Sequence, residues 1–143
     1  MAASLVLGAV ISWRLLETGG APIVAGDGAL VAHGELALAL DRQLASEQRG
    51  GEPVLIGLTS RTRDGNYCRS FVLRSAKTTG LACRIGSDWQ VPVTDTSLIP
   101  SGEMQQASSA APAILRAIEA RADGAVLDAE AERSAQQGGW GSK

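Results

Sequence analysis

NYCRSFVLRSAKTTGLACRIGSDW, residues 66–89, holds both cysteines and three of the five aromatic residues of this 143-residue chain. Two runs rich in strand-forming residues flank the polar connection 74–78, which favours an antiparallel hairpin. A hairpin centred near Ser75 and Ala76 places Cys68 opposite Cys83. Facing residues at a non-hydrogen-bonded pair are close enough for a disulfide. We therefore predict a Cys68–Cys83 disulfide bond.

The two cysteines favour this disulfide over a metal site. The chain has no CxxC pair and its only histidine is His33, so a zinc ion would need carboxylates at unsupported spacing. A disulfide indicates an oxidising compartment. In the chain-entropy model a loop of this size contributes about 3 kcal/mol to stability. We interpret the bond as a structural staple, with a redox sensor as the alternative.

Composition predicts one domain with a core of small side chains. Hydrophobic residues make up 45% of the chain, but much of this is alanine and only 3% is aromatic. The formal net charge is −2, yet residues 51–86 carry six basic and two acidic side chains. We interpret these charges as solvated or neutralised within the fold; an anionic partner at the hairpin is the alternative. Because aromatic residues do not alternate with the arginines, we predict no nucleic-acid partner.

Residues 1–16 are predicted to be the end of a membrane-anchoring helix. They are uncharged and apolar as far as Arg14, but they fall short of the roughly 20 residues that span a bilayer. They also lack the basic start of a signal peptide. An ordinary buried or partner-bound helix is the alternative. Residues 17–28, with four glycines and a proline, are predicted as a linker, which leaves 29–140 as one domain.

The strand signals predict an α+β fold built on a four-stranded antiparallel meander. The strands are expected at about 54–62, 66–74, 78–85 and 88–94. Pro92 assigns the last strand to the edge of the sheet, because proline has no N–H to donate. Tyr67, Arg69, Phe71 and Leu73 share one face of the second strand, opposite Cys68. One face is expected beneath helices, and the other is expected to be partly wet.

One preceding helix and two C-terminal helices are predicted to cover this sheet. The first occupies 29–48, where leucines recur at helical spacing. The second begins near Ser108 or Ser109, with Pro112 in its first turn. The third is capped by Asp128 and stops at two glycines, after which Trp140 returns to the core.

No catalytic arrangement is visible in the sequence. There is no GxSxG elbow, phosphate loop or HExxH motif, and a Ser-His-Asp triad would have to recruit His33 from a helix. Cys68 could act as a nucleophile only if it were reduced and close to a base. We therefore predict a domain that is not an enzyme and that binds no cofactor or metal.

DGNYCRSF at 64–71, GLACR at 80–84 and DWQV at 88–91 resemble the pattern "DGxYCRxF … GLACR … W-x-V". That pattern is typical of the extracytoplasmic part of proteobacterial transmembrane anti-sigma factors. The similarity extends to the helical tail, including residues 127–140, and to 5–13 as the end of the membrane helix. A related YCR and ACR pair occurs in small bacterial surface-antigen domains of the cell envelope.

The resemblance implies the periplasmic sensing domain of an inner-membrane anti-sigma factor, which controls sigma-factor release and so transcription. In that family a cytoplasmic domain binds the sigma factor, often with a His-x3-Cys-x2-Cys zinc motif that is missing here, so the sigma factor would bind outside this chain. A regulatory protease or envelope protein is a further implied partner. The alternative is a surface-antigen-like structural or binding module. We predict Tyr67, Arg69, Arg84 and Trp89 as an interaction surface.

Overall fold

The computed structural model describes residues 20–96 and 111–141, and within them one six-stranded antiparallel sheet and three α-helices. The strands are β1 Ile23–Ala25, β2 Leu30–Ala32, β3 Val54–Arg61, β4 Tyr67–Leu73, β5 Thr78–Ile85 and β6 Asp88–Asp95. The helices are α1 Gly34–Arg42, α2 Pro112–Arg121 and α3 Ala129–Gln137, with a 3-10 turn at Ala45–Glu47. The strand order is β1-β2-β6-β5-β4-β3. The predicted α+β class is confirmed.

The central hairpin has the predicted register and the predicted disulfide. β4 and β5 pair so that Cys68 faces Cys83, and the two residues are joined with their Cα atoms 4.0 Å apart. The connecting turn closes between Leu73 and Thr78, and Lys77 adopts a left-handed φ of 48° there. The disulfide therefore links two interior strands of the sheet.

Two more strands than predicted join the sheet, and both lie before residue 33. β1 falls within the predicted linker, and β2 falls where the first helix was expected to begin. The glycines mark a tight turn rather than a flexible segment: Gly26 N–H donates to Ala29 O at 2.7 Å, and Gly28 has φ 83°, which favours glycine. Short apolar runs on either side then pair as a hairpin.

The first helix is correspondingly shorter than the predicted 29–48. His33 is extended, with φ −134°, so α1 begins only at Gly34. Gln43 is extended again and ends the helix after Arg42. Leucine spacing alone did not reveal these ends, since Leu30 and Leu44 continue the period outside the helix.

The prediction that β6 is an edge strand is wrong for its first half. β2 pairs with β6 at Val31 and Gln90. Pro92 is accommodated in a different way, because the register with β5 shifts between the pairs Leu81–Val93 and Cys83–Gln90. Pro92 therefore lies in a β-bulge, the other position in a sheet that tolerates a missing N–H.

The outer edge of β3 is covered by other parts of the chain. The side-chain amide of Gln48 accepts from the N–H of Ile56 and donates to its carbonyl, as a neighbouring strand would. Further along the edge, Leu127 N–H donates to Thr59 O at 2.8 Å, and Asp123 N–H donates to Arg61 O at 2.8 Å. The segment between α2 and α3 thus covers backbone groups that could otherwise pair with another chain.

Helices lie on both faces of the sheet, but the face that holds the disulfide is partly wet, as predicted, because Leu55 and Val72 are only partly buried and Ile85 is 42% exposed. The face beneath α1 holds the larger core, to which Trp140 belongs. On the other face, Ile114 and Ile118 of α2 pack against Leu81 and the disulfide. The expected helix start near Ser108 lies outside the described residues.

The ends of the C-terminal helices follow the predicted signals. Pro112 is the first residue of α2. The Asp128 carboxylate accepts from Ala131 N–H at 2.8 Å and caps α3. Gly138 ends α3, and the Trp140 side chain is buried. These four predictions are confirmed.

Replacing both cysteines with serine, as C68S/C83S, is expected to lower the free energy of unfolding by about 3 kcal/mol, because the unfolded chain gains entropy. Urea unfolding measures this change. The oxidised and reduced wild-type proteins are the controls, and reduction should shift only the wild-type midpoint toward that of the variant. Equal midpoints for the variant and the oxidised wild type would contradict the stabilising role.

Gly80→Ala is expected to cost about 1–3 kcal/mol by overpacking, since an added Cβ would lie 2.8 and 2.9 Å from Phe71 Cε1 and Cε2. Gly51→Ala is the matched control, because a Cβ there meets no atom within 4 Å. Thermal or urea unfolding compares the two. Adding Phe71→Leu should recover part of the loss at Gly80, and identical stability of the two alanine variants would refute this account of the packing.

Candidate functional site

Arg69 lies in the middle of β4, on the face covered by α1, and has no exposed surface. Its Nε–H donates to Thr59 Oγ1 at 3.1 Å, and its Nη2 donates to Gln43 O at 2.6 Å. Its Nη1 donates to Leu40 O. The guanidinium also stacks over Trp140, with Cζ 4.3 Å from the ring centroid. Every nitrogen of the buried cation therefore has an acceptor.

The counter-charge comes from Glu132 of α3, 63 residues away in sequence. Arg69 Nη2 lies 2.7 Å from Glu132 Oε1, and both side chains are almost completely buried. The carboxylate also accepts from Thr59 Oγ1 at 2.9 Å and from Ala45 N–H at 3.1 Å. Such complete bonding is what a buried ion pair needs if it is not to destabilise the fold.

Burial lowers the pKa of the Arg69 guanidinium, while the hydrogen bond and charge of Glu132 oppose that shift. An arginine this deep in the fold would be costly without a partner, because a buried charge loses its hydration. Arg69 can therefore stay buried only while α3 holds Glu132 in this position.

A second polar group, Asp41 of α1, connects this centre to the motif residues on β5 and β6. Its Oδ1 accepts from Trp89 Nε1–H at 2.8 Å and from Arg84 Nη1 at 2.9 Å. Trp140 contacts both Trp89 and Tyr67 edge to face, with ring centroids 5.8 Å apart in each case. Arginine and aromatic side chains thus form one connected cluster.

The structure brings together all four residues predicted as an interaction surface, but it places two of them inside the domain. Arg69 is 0% exposed and Trp89 is 2% exposed, so neither can contact a partner in this conformation. Tyr67 and Arg84 are half-buried. The basic charges were interpreted as solvated or neutralised within the fold, and the strand alternation had already assigned Arg69 to the face of Tyr67 and Phe71.

Sequence reasoning missed the residues that complete this cluster. Glu132, Asp41 and Thr59 were not predicted to take part in it. The available signal was a basic residue on an apolar strand face, because such a residue requires a buried acidic partner. The sequence did not indicate which of the many acids supplies it.

Outside this cluster, a surface cavity of about 360 Å³ lies beside the disulfide, between the β3–β4 turn and the end of α2. Arg63 and Arg121 line it, but Arg121 already donates to Ala117 O at 3.0 Å. Within residues 20–96 and 111–141, no group of three or more histidine, cysteine or acidic side chains could hold a metal ion. No helix in the same two ranges is long and apolar enough to cross a membrane.

No family model, curated protein or solved structure matches this chain. The resemblance to anti-sigma factors therefore stays a prediction. What the geometry adds is an explanation for the residues that carry it.

Arg69→Met is expected to cost about 3–5 kcal/mol in urea unfolding, because it leaves the Glu132 carboxylate buried without its partner. Arg133→Met is the matched control: it also breaks an arginine–glutamate pair of α3, but Arg133 and Glu47 are exposed, so its cost should stay below about 1 kcal/mol. Adding Glu132→Leu to Arg69→Met should restore part of the loss. Equal effects of the two single variants would contradict the buried-pair assignment.

Proposed function

We propose that this chain is the periplasmic sensing and regulatory domain of a membrane-anchored anti-sigma factor. The observation that carries the proposal is the Cys68–Cys83 disulfide, which joins the YCR and ACR parts of the motif. Its formation between interior strands supports an oxidising location. In this proposal the inner membrane holds residues 1–16 and the bulk of the chain lies in the periplasm.

The contacts of the motif residues support the view that the resemblance to the family reflects a shared fold and is not limited to a few matching residues. Cys68 bonds to Cys83 on one face of the hairpin, and Arg69 bonds into the core on the other. Gly80 leaves room for the ring of Phe71. Each of these positions has a physical reason to hold the residue type that the pattern specifies.

The same contacts favour a role other than catalysis for the motif residues. Arg69, Arg84 and Trp89 donate to groups within the domain, and Cys68 and Cys83 are joined to each other. These side chains therefore maintain the fold instead of presenting reactive groups. In the proposed mechanism a signal, or a protease or envelope protein, changes the state of this domain. A cytoplasmic domain outside the chain then releases the sigma factor.

A surface-antigen-like module of the cell envelope is the second candidate. The observation that favours it is again the internal bonding of the motif, because a framework of this kind would serve a purely structural or binding module equally well. The two candidates differ in whether loss of the domain changes transcription.

Fusing alkaline phosphatase or β-galactosidase after residue 141 of the full-length gene product tests the location. A periplasmic domain should give active phosphatase and inactive β-galactosidase, and the reverse pattern would contradict the proposed location.

Deleting codons 20–141 in the chromosome, followed by RNA sequencing, tests the regulatory role. The expected result is a severalfold change in the transcripts that depend on one sigma factor. Gln137→Ala is the control and should leave those transcripts unchanged, because it changes only an exposed side chain of α3. A deletion strain with unchanged sigma-dependent transcripts and a permeable envelope would favour the surface-antigen-like module.

A further inference from the structure

The C-terminal end of α1 is capped by side chains from distant parts of the chain. The last carbonyls of a helix have no partner within the helix and need one elsewhere. Here Leu40 O and Gln43 O accept from Arg69 of β4. Asp41 O accepts from Trp140 Nε1–H at 3.0 Å, and Arg42 O accepts from the Gln136 side-chain amide. Two of these four caps therefore come from the C-terminal end of the domain.

α1 has little capping of its own. Many helices end on a glycine in the left-handed conformation, which returns the following N–H groups to the last carbonyls. After α1 the chain instead continues as Gln43, which is extended and returns one N–H, to Ala39 O. The order of the last turn of α1 thus depends on Arg69 and on the residues that approach it from the C-terminal end of the domain.

The part of the chain that supplies these two caps, α3 together with Trp140, is here called the capping segment. Glu132 and Ala135 are the buried residues of α3, so hydrogen bonds and one indole ring provide most of its attachment. Its other polar contacts reach residues 45–47 and the buried centre of the sheet. Arg133 pairs with Glu47 at 2.9 Å, and Glu132 accepts from Ala45 N–H at 3.1 Å, from Thr59 Oγ1 at 2.9 Å and from Arg69 Nη2 at 2.7 Å. The capping segment is therefore bonded to residues 41–47 and to Thr59 and Arg69 of the sheet.

The end of the capping segment adopts a conformation that favours release once its contacts are lost. Trp140 has φ 59°, a left-handed value that residues other than glycine rarely adopt. Its N–H donates to Ala135 O at 3.0 Å, which closes a turn after α3. The buried indole holds this backbone in place.

We propose that the capping segment is a detachable element whose docking controls the order of the end of α1. When it is docked, Asp41 O and Arg42 O are capped and Arg69 has its counter-charge. When it is released, by a partner that binds α3 or by cleavage before it, the last turn of α1 and the following 3-10 turn become disordered. The disulfide keeps the β4–β5 hairpin paired.

Release of the capping segment at the C-terminal end of the domain would thus change the order of α1. This helix follows directly on the β1–β2 hairpin. The proposal concerns contacts within the domain and does not rest on membrane attachment or on a sigma factor. Its test can therefore fail or succeed independently of the proposed function.

Hydrogen–deuterium exchange of the full chain tests the coupling, with Gln136→Ala and Gln137→Ala as matched variants. Both replace a glutamine of α3 with alanine, so their effects on helix propensity are similar. Gln136 caps Arg42 O, whereas Gln137 is an exposed neighbour. Loss of one capping bond should speed amide exchange at the end of α1 by about fivefold in Gln136→Ala. Gln137→Ala should leave it unchanged.

Trp140→Phe provides a second, independent variant, because it keeps a ring near Arg69 but removes the donor to Asp41 O. It should also speed exchange at residues 40–47, by about fivefold or more. The amides of Arg69 and Ala82 in the β4–β5 hairpin serve as the internal reference and should keep their protection. The proposal is overturned if residues 40–47 keep wild-type exchange in both variants. It is equally overturned if the hairpin amides accelerate by the same factor as α1, since that result would mean global unfolding.

Discussion

A buried guanidinium constrains most of this domain. Arg69 can remain on the apolar face of β4 only because α1 offers carbonyls, β3 offers the Thr59 hydroxyl and α3 offers the Glu132 carboxylate. Removing a cation from water is costly, and only such complete bonding offsets that cost. Four separate elements are thereby required to meet at one point. The positions of α1 and α3 over the sheet follow from that requirement.

The residue before Arg69 fastens the opposite face of the same strand. Successive side chains of a strand point to opposite faces, so Cys68 lies beneath α2 while Arg69 lies beneath α1. The disulfide to Cys83 and the ion pair to Glu132 therefore fix the two faces through adjacent residues. This arrangement explains why cysteine and arginine stand next to each other in the motif. It also explains how the sheet can hold helices on both faces although the whole chain has only five aromatic residues.

Local and symmetric features could be predicted from the sequence, and long-range polar pairing could not. The hairpin register followed from the equal distances of Cys68 and Cys83 from the turn, and the Asp128 cap followed from local helix chemistry. The strands β1 and β2 were missed because glycine content alone does not distinguish a tight turn from a linker. Glu132 could not be assigned to Arg69, because residues 63 positions apart leave no periodic signal. Only those residues of the candidate site that lie on β-strands were therefore predicted.

The positions of α1 and α3 depend on Arg69 being enclosed and bonded in the domain in solution. The most direct measurement is the exchange of its side-chain Nε–H with water, followed by NMR on ¹⁵N-labelled protein, with exposed Arg116 as the reference. A Nε–H that donates to Thr59 Oγ1 inside the fold should exchange on the order of a hundredfold or more slowly than that of Arg116, because exchange then requires opening of the structure. Equal exchange rates for the two arginines would contradict the buried centre and the arrangement of helices built around it.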